Sequence, residues 1–214
     1  MILNWLYFFI ALLISVIIHE LGHLISALIC KVKVETFSIG FGKSLWHRKI
    51  KGIDFRFSPL LLGGYVKLAG ETNKQPNGFL AQRYMKKVFI LLSGVMMNFL
   101  LACLCYKLNY NSIIQGITID WTILRAVFCK DFTMSATILS LVQPKFFLIQ
   151  LSLINFGCAI LNILPFPALD GGMLWMAWIE KITPNYEKII KYLSGYGFLI
   201  LLLLQFVLIF YLLI

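Results

Sequence analysis

The chain has 214 residues, 60% of them apolar and 13% charged, with a formal net charge of +10 and a mean hydropathy of +0.87. That balance lies outside the soluble norm and excludes an ordinary water-soluble enzyme. The length suits four or five bilayer spans in one domain, residues 1–214, with no separate soluble domain beside it.

The first apolar segment runs over about residues 5–30. It is too long for the core of a signal peptide and has no basic stretch before it, so it is expected to stay uncleaved. At its centre stands His19-Glu20-Leu21-Gly22-His23. Imidazoles four residues apart share one helix face and can bind a single zinc ion. Glu20 is offset from that pair but can reach a water on the open side of the metal, where a general base must sit. From Trp5 to Cys30 the only other ionisable groups are Tyr7 and Cys30. Ionisable residues at bilayer depth are costly, and function is the default reason for their presence.

Residues 31–70 form a β-rich loop. The alternation Val32, Val34, Phe37, Ile39 and then Ile53, Phe55, Phe57 predicts short strands in a hairpin or small sheet associated with the membrane. Gly40, Gly42, Gly63 and Gly64 supply freedom where the backbone turns or passes close to another chain segment. An extended substrate can add to the edge of such a sheet; a hairpin packed for its own stability reads the same way. Residues 71–78 are an exposed turn, and His47 is a solvated residue in a basic loop.

A second span is predicted at about 88–106. It contains Ser93-Gly94, small enough for close helix packing, and Asn98, which needs a partner when buried. The connector 107–145 is apolar from Trp121 to Val142 but interrupted by Arg125, Lys130 and Asp131, which favours an interfacial helix. A third span at about 146–165 ends in Asn162-Ile-Leu-Pro165-Phe-Pro167-Ala-Leu-Asp170-Gly171-Gly172. Broken backbone at membrane depth is tolerated when buried in protein or lining a wet cavity. Asp170 there is a candidate metal ligand, or simply the N-cap of a following helix. The last segment, 196–214, reads as an anchor.

Cys30, Cys103, Cys105, Cys129 and Cys158 show neither metal-pair nor disulfide-framework spacing and are read as free. Lys and Arg number twelve over residues 31–87, four over 107–145 and three over 171–195. With four spans this places loops 31–87 and 171–195 in the cytoplasm and both termini outside. The basic excess suits anionic headgroups, so no nucleic-acid partner is expected.

Taken together, HELGH, the Gly-Phe-Gly and Gly-Gly-Tyr-Val-Lys loop, the Ser-Gly-x-x-x-Asn helix and NxxPxPxxDGG resemble the site-2 protease family of intramembrane zinc metalloproteases. The nearest branch is the bacterial one that cleaves anti-sigma factors and signal-peptide remnants. The resemblance implies an α-helical polytopic protein of the bacterial inner membrane, with one catalytic zinc ion. It places the metal ligands on His19, His23 and Asp170 and the catalytic carboxylate on Glu20. It also places substrate contacts on Asn162, Asn98, Gly63, Gly64 and Tyr65. The implied partners are the bilayer and a single-span transmembrane substrate already trimmed by another protease. Two departures stand out. The family's Gly-Pro in the second span is Gly94-Val95 here, and residues 107–145 cannot hold the branch's PDZ domain, whose role would be absent or supplied by a regulator acting in trans. Two alternatives stay open: a membrane HExxH protease with Glu180 or Glu187 as third ligand, and an inactive adaptor of the same fold.

Overall fold

The computed structural model describes residues 2–71, 75–128, 146–167, 169–179, 196–197 and 200. The expected anchor at 196–214, Glu180, Glu187, Cys129 and the far part of the expected interfacial helix lie almost wholly outside those residues. Helix α1 spans Ile2–Ile29 and leads into strands β1 (Val34–Phe41), β2 (Trp46–Ile50), β3 (Ile53–Phe57) and β4 (Leu60–Leu68). Helices α2 (Tyr84–Tyr110), α3 (Ile113–Phe128), α4 (Phe146–Ile163) and α5 (Asp170–Ile179) follow.

Among the described residues, two helical stretches are long and apolar enough to cross a membrane: Leu6–Ile29, of 24 residues, and Tyr84–Tyr110, of 27. The shorter of these is about 36 Å long, against a hydrocarbon core of about 30 Å. The first stretch falls within its predicted limits, and the second runs past its limits of about 88–106 at both ends. The 18 residues of α4 cover only about 27 Å. The predicted connector helix starts earlier than expected, at Ile113.

The loop between α1 and α2 folds into a four-stranded sheet in the order β2-β3-β1-β4. It is a mixed sheet, with β1 and β3 parallel and the other two pairings antiparallel. Ile50 stands opposite Ile53, and Lys51 and Gly52 between them have φ of 49° and 85°. Two positive-φ residues make the tight turn that suits the twist of a hairpin. Among the described residues, β2 and β4 are edges. Strand β2 is exposed throughout and carries His47, Arg48 and Lys49, which protect such an edge from unwanted pairing. His47 is exposed as expected, 3.5 Å from Asp54. Four of the five cysteines, Cys30, Cys103, Cys105 and Cys158, are free.

The main core joins sheet and helices. Leu24 and Ala27 of α1, Phe37, Ile53 and Leu68 of the sheet, Ile90 and Leu91 of α2 and Met176 of α5 pack together. Toward the other end, α4 packs on α1 and α2 through Ala11, Cys105 and Leu151. Helix α3 leans on α2 and α4 around Tyr106 and Phe156. There Tyr106 donates to Asp120 at 2.8 Å, and a side chain at Gly116 would overlap the Tyr106 ring. The core thus brings the middle of α1, the edge strand β4, the middle of α2 and the start of α5 to one place.

Candidate metal centre

His19 and His23 lie one turn apart on α1, with ring centroids 4.8 Å apart and planes at 82°. Their Nε2 atoms are 3.2 Å apart. Asp170 Oδ2 lies 3.1 Å from His19 Nε2 and 3.3 Å from His23 Nε2. These residues come from opposite ends of the chain and form the candidate metal group among the described residues.

The triangle fits a zinc ion. Donors about 2.1 Å from a tetrahedral metal lie about 3.4 Å from one another, close to all three observed separations. Asp170 Oδ2 is buried without a hydrogen bond among the described residues, an orphaned anion that a cation would satisfy. His23 Nδ1–H donates to the Ile90 carbonyl at 2.8 Å. That bond puts the proton on Nδ1 and turns the Nε2 lone pair toward the site.

Close packing explains the surrounding glycines. A β-carbon on Gly94 of α2 would overlap His23 Nε2 and stand 2.8 Å from Cε1 of both imidazoles. Helix α2 runs unbroken through Gly94-Val95, so the departure from Gly-Pro keeps the glycine that the rings require. A β-carbon on Gly22 would lie 2.6 Å from the Ser93 carbonyl oxygen. Across this contact Ser26 Oγ is 2.8 Å from Ser93 Oγ, and Ser93 donates to Ile90 O at 2.6 Å. The Ile90 carbonyl therefore receives both the ligand imidazole and the serine that ties α2 to α1.

Asp170 is set by the turn after α4. Phe166 N–H donates to Leu164 O at 2.7 Å, and Leu169 N–H to Phe166 O at 2.9 Å. A β-carbon on Gly171 would overlap the Ile163 and Leu164 carbonyl oxygens, and one on Gly172 the Phe166 carbonyl. The glycine pair lets the first turn of α5 lie against this bend. Asp170 is also the first residue of α5, so ligand and helix start coincide in one residue.

Glu20 is buried and covered by β4. A β-carbon on Gly64 would stand 2.9 Å from Glu20 Cγ and 3.2 Å from Val16 Cγ1. Gly63 faces the other way, where the Phe41 ring lies 2.8 Å from its β-carbon position, and Tyr65 stacks on Phe41 at 6.3 Å. The structure thus brings Gly64 against Glu20 and turns Gly63 and Tyr65 to the opposite face of the strand. Asn98 is 1% exposed, and its Oδ1 has no partner among the described residues. Asn162 is half-buried near the end of α4.

One polar pair escaped the motifs. Asn155 donates through Nδ2 to Ser15 Oγ at 2.8 Å, and Ser15 donates to Ala11 O at 2.8 Å. Ser15 sits one turn before His19 on the same face of α1, so this bond fixes α4, and the bend that carries Asp170, against the ligand helix. A buried Asn inside an apolar helix was the signal available for it.

An apolar helical frame, an HExxH helix and a distant aspartate define the class of a three-donor metal protein. A family model described as peptidase family M50 matches residues 7–204, and the chain belongs to that family. The resemblance read from the motifs is borne out. A Helicobacter pylori protein provisionally named a zinc metalloprotease is 51% identical over 100 residues, 42% of this chain and 29% of its own length. A Campylobacter jejuni protein with the same provisional designation is 44% identical over 100 residues, 44% of this chain and 27% of its own. The regulator of sigma E protease of Haemophilus influenzae is 36% identical over 110 residues, 48% of this chain and 25% of its own. The matched stretch therefore spans less than a third of the length of these curated relatives.

Proposed function

We propose that this chain is a zinc-dependent intramembrane endopeptidase. The observation that carries the proposal is the triangle of His19 Nε2, His23 Nε2 and Asp170 Oδ2, with sides of 3.1 to 3.3 Å, beside the buried carboxylate of Glu20. Zinc held there supplies Lewis acidity and a water able to lose a proton near pH 7. Glu20 accepts that proton on a carboxylate oxygen and returns it to the leaving amine nitrogen. Asp170 is the one anionic donor, so with neutral imidazoles the centre keeps positive charge for a developing oxyanion.

The substrate is the span of a single-span membrane protein or a signal-peptide remnant, trimmed beforehand by another protease. Its helix must unwind, because helical amides are hydrogen-bonded and closed to attack. The free edge of β4, running past Glu20 at Gly64, offers ladder hydrogen bonds to the freed strand, and Asn162 holds its backbone; Asn98, 1% exposed, is too deeply buried for the substrate contact expected of it. The apolar lengths of α1 and α2 support a membrane protein; the topology we propose for it is about four spans in the bacterial inner membrane. On that topology the basic loops are cytoplasmic, and a regulator acts in trans in the role that the resemblance assigns to a PDZ domain.

The test is cleavage of a tagged single-span substrate by purified wild-type protein and Glu20→Gln, with zinc assayed in both. Zinc in both and cleavage by wild type alone are expected. Equal cleavage by both proteins would remove Glu20 from its role, and folded wild type without zinc or cleavage would favour the adaptor.

A further inference from the structure

The two ligand imidazoles are not held alike. His23 Nδ1–H has the Ile90 carbonyl as its acceptor at 2.8 Å. His19 Nδ1 is buried without a hydrogen bond among the described residues. With Nε2 turned to a metal, Nδ1 carries the proton, and a buried N–H without an acceptor is costly. A second orphan lies on the neighbouring helix. Asn98 of α2 is 1% exposed, and its Oδ1 is buried with no partner among the described residues. One helix thus buries a donor in need of an acceptor, and the helix packed on it buries a free acceptor.

The packing of α1 on α2 brings the two orphans together. The helices are antiparallel: Lys86 Nζ donates to the Cys30 carbonyl at 3.3 Å near one end, and Cys105 packs with Ala11 toward the other. Between these ends, a β-carbon on Gly94 would stand 2.8 Å from His19 Cε1, the ring atom bonded to Nδ1. Asn98 comes four residues after Gly94, so it lies on the same face, about 6 Å along the axis. Helical side chains lean toward their own N-terminus, which carries the Asn98 carboxamide back over Gly94. In an antiparallel pair the same lean carries the His19 ring toward Asn98. Ile90, Gly94 and Asn98 therefore form one row on α2, with a carbonyl for His23, room for both rings and a carboxamide for His19. The hydroxyl one turn before His19, Ser15 Oγ, is already engaged with Ala11 O and Asn155 Nδ2.

We infer that Asn98 is a positioning residue of the metal centre, whose Oδ1 accepts the Nδ1–H of His19. It gives His19 what the Ile90 carbonyl gives His23, a fixed tautomer and a fixed ring plane. This role rests on the metal centre of the proposed function and deepens it by supplying the support of the second imidazole.

The experiment compares the purified full chain with Asn98→Leu, which keeps the volume but loses the acceptor, and Asn98→Asp, which keeps an acceptor. Titrated against a competing chelator, zinc should bind Asn98→Leu about tenfold to a hundredfold more weakly than wild type. Asn98→Asp should recover most of that loss. The chain has three histidines and His47 is exposed, so the imidazole N–H signals of isotope-labelled, zinc-loaded protein can be assigned by magnetic resonance. The His19 Nδ1–H signal should lie downfield and show a nuclear Overhauser contact with the Asn98 carboxamide. In Asn98→Leu it should move upfield while that of His23 stays. Zinc affinity in Asn98→Leu within about threefold of wild type, short of the loss expected for a ligand's support, would overturn the assignment. So would an Asn98→Asp protein as weak as Asn98→Leu, or a His19 signal that answers to Asn155→Leu and not to Asn98→Leu. If Asn98→Leu does not fold, the wild-type Overhauser contact decides, and its absence overturns the assignment. The two readings fail separately: wild type that binds no zinc, or affinity unchanged in Asp170→Ala, sinks the metal centre. Zinc held by His19, His23 and Asp170 with no change in Asn98→Leu sinks the role of Asn98.

Discussion

Gly94 lies so close under the ring of His23 that a β-carbon there would overlap Nε2, the atom turned toward Asp170. The metal site is thus bounded by the absence of a side chain on a helix that contributes no donor. Gly94→Ala should cut zinc affinity by at least about tenfold, the size seen when second-shell support is lost, with helicity retained. Gly157 of α4, whose β-carbon would meet nothing within 4 Å, is the control. Gly157→Ala should raise stability by about 0.5–1 kcal/mol, because it removes a helix-interior glycine. Competitive zinc titration and thermal melts check the pair, and normal zinc affinity in Gly94→Ala would contradict the geometry.

Gly64 covers Glu20 from the other side. A valine there would press on Glu20 Cγ, Val16 and the Ser38 carbonyl, all within 3.2 Å of the β-carbon position. Gly64→Val should lower kcat by about a hundredfold, the upper part of the loss expected from a misplaced catalytic group, with zinc stoichiometry unchanged. Loss of zinc instead of turnover would mean that β4 supports the metal and not the carboxylate.

Asn155 and Ser15 are both fully buried. Asn155→Ala leaves the Ser15 hydroxyl without its donor and should cost about 1–3 kcal/mol. Zinc should still bind one to one at saturation, because no donor has been removed. Chemical unfolding in detergent reads the loss. A change within about 0.3 kcal/mol, small for a buried hydrogen bond, would show that the bond does not hold α4 to α1.

Glu71 gives a pH signature outside the apolar helices. Its Oε1 accepts the Leu68 N–H at 2.7 Å, yet desolvation pushes its carboxyl up from 4.5 to about 7. The folded protein binds this proton more tightly than the unfolded chain. The group's favourable contribution is therefore complete below 4.5 and is lost as pH rises through about 7. Wild type should lose stability relative to Glu71→Gln across that window. A gain relative to the variant as pH rises would reverse the sign and refute the assignment.

Local spacing carried much of the site. HELGH needs only one helix turn to bring two imidazoles together, and the Gly171-Gly172 pair marks the bend that presents Asp170. Other features depend on contacts that sequence spacing does not encode. The Ile90 carbonyl orients His23, but a backbone group leaves no signature in residue types. The hairpin reading paired neighbours in sequence, whereas β1 pairs with β3 and leaves β2 outside. Strand β4, not the β2–β3 hairpin, is what lies on Glu20. Gln115, Thr118 and Asp120 interrupt the apolar pattern at the start of α3, and Asp120 accepts its hydrogen bond from Tyr106 of α2, a contact that spacing does not encode.

The most direct measurement is zinc K-edge X-ray absorption on the purified wild type and on Asp170→Ala loaded with one equivalent of zinc. The predicted wild-type spectrum has two imidazole nitrogens and a carboxylate oxygen at about 2.0–2.2 Å with no sulfur. In Asp170→Ala the carboxylate contribution should disappear and zinc affinity should fall. A wild-type spectrum with sulfur ligands, or one unchanged by Asp170→Ala, would contradict a metal centre built from His19, His23 and Asp170.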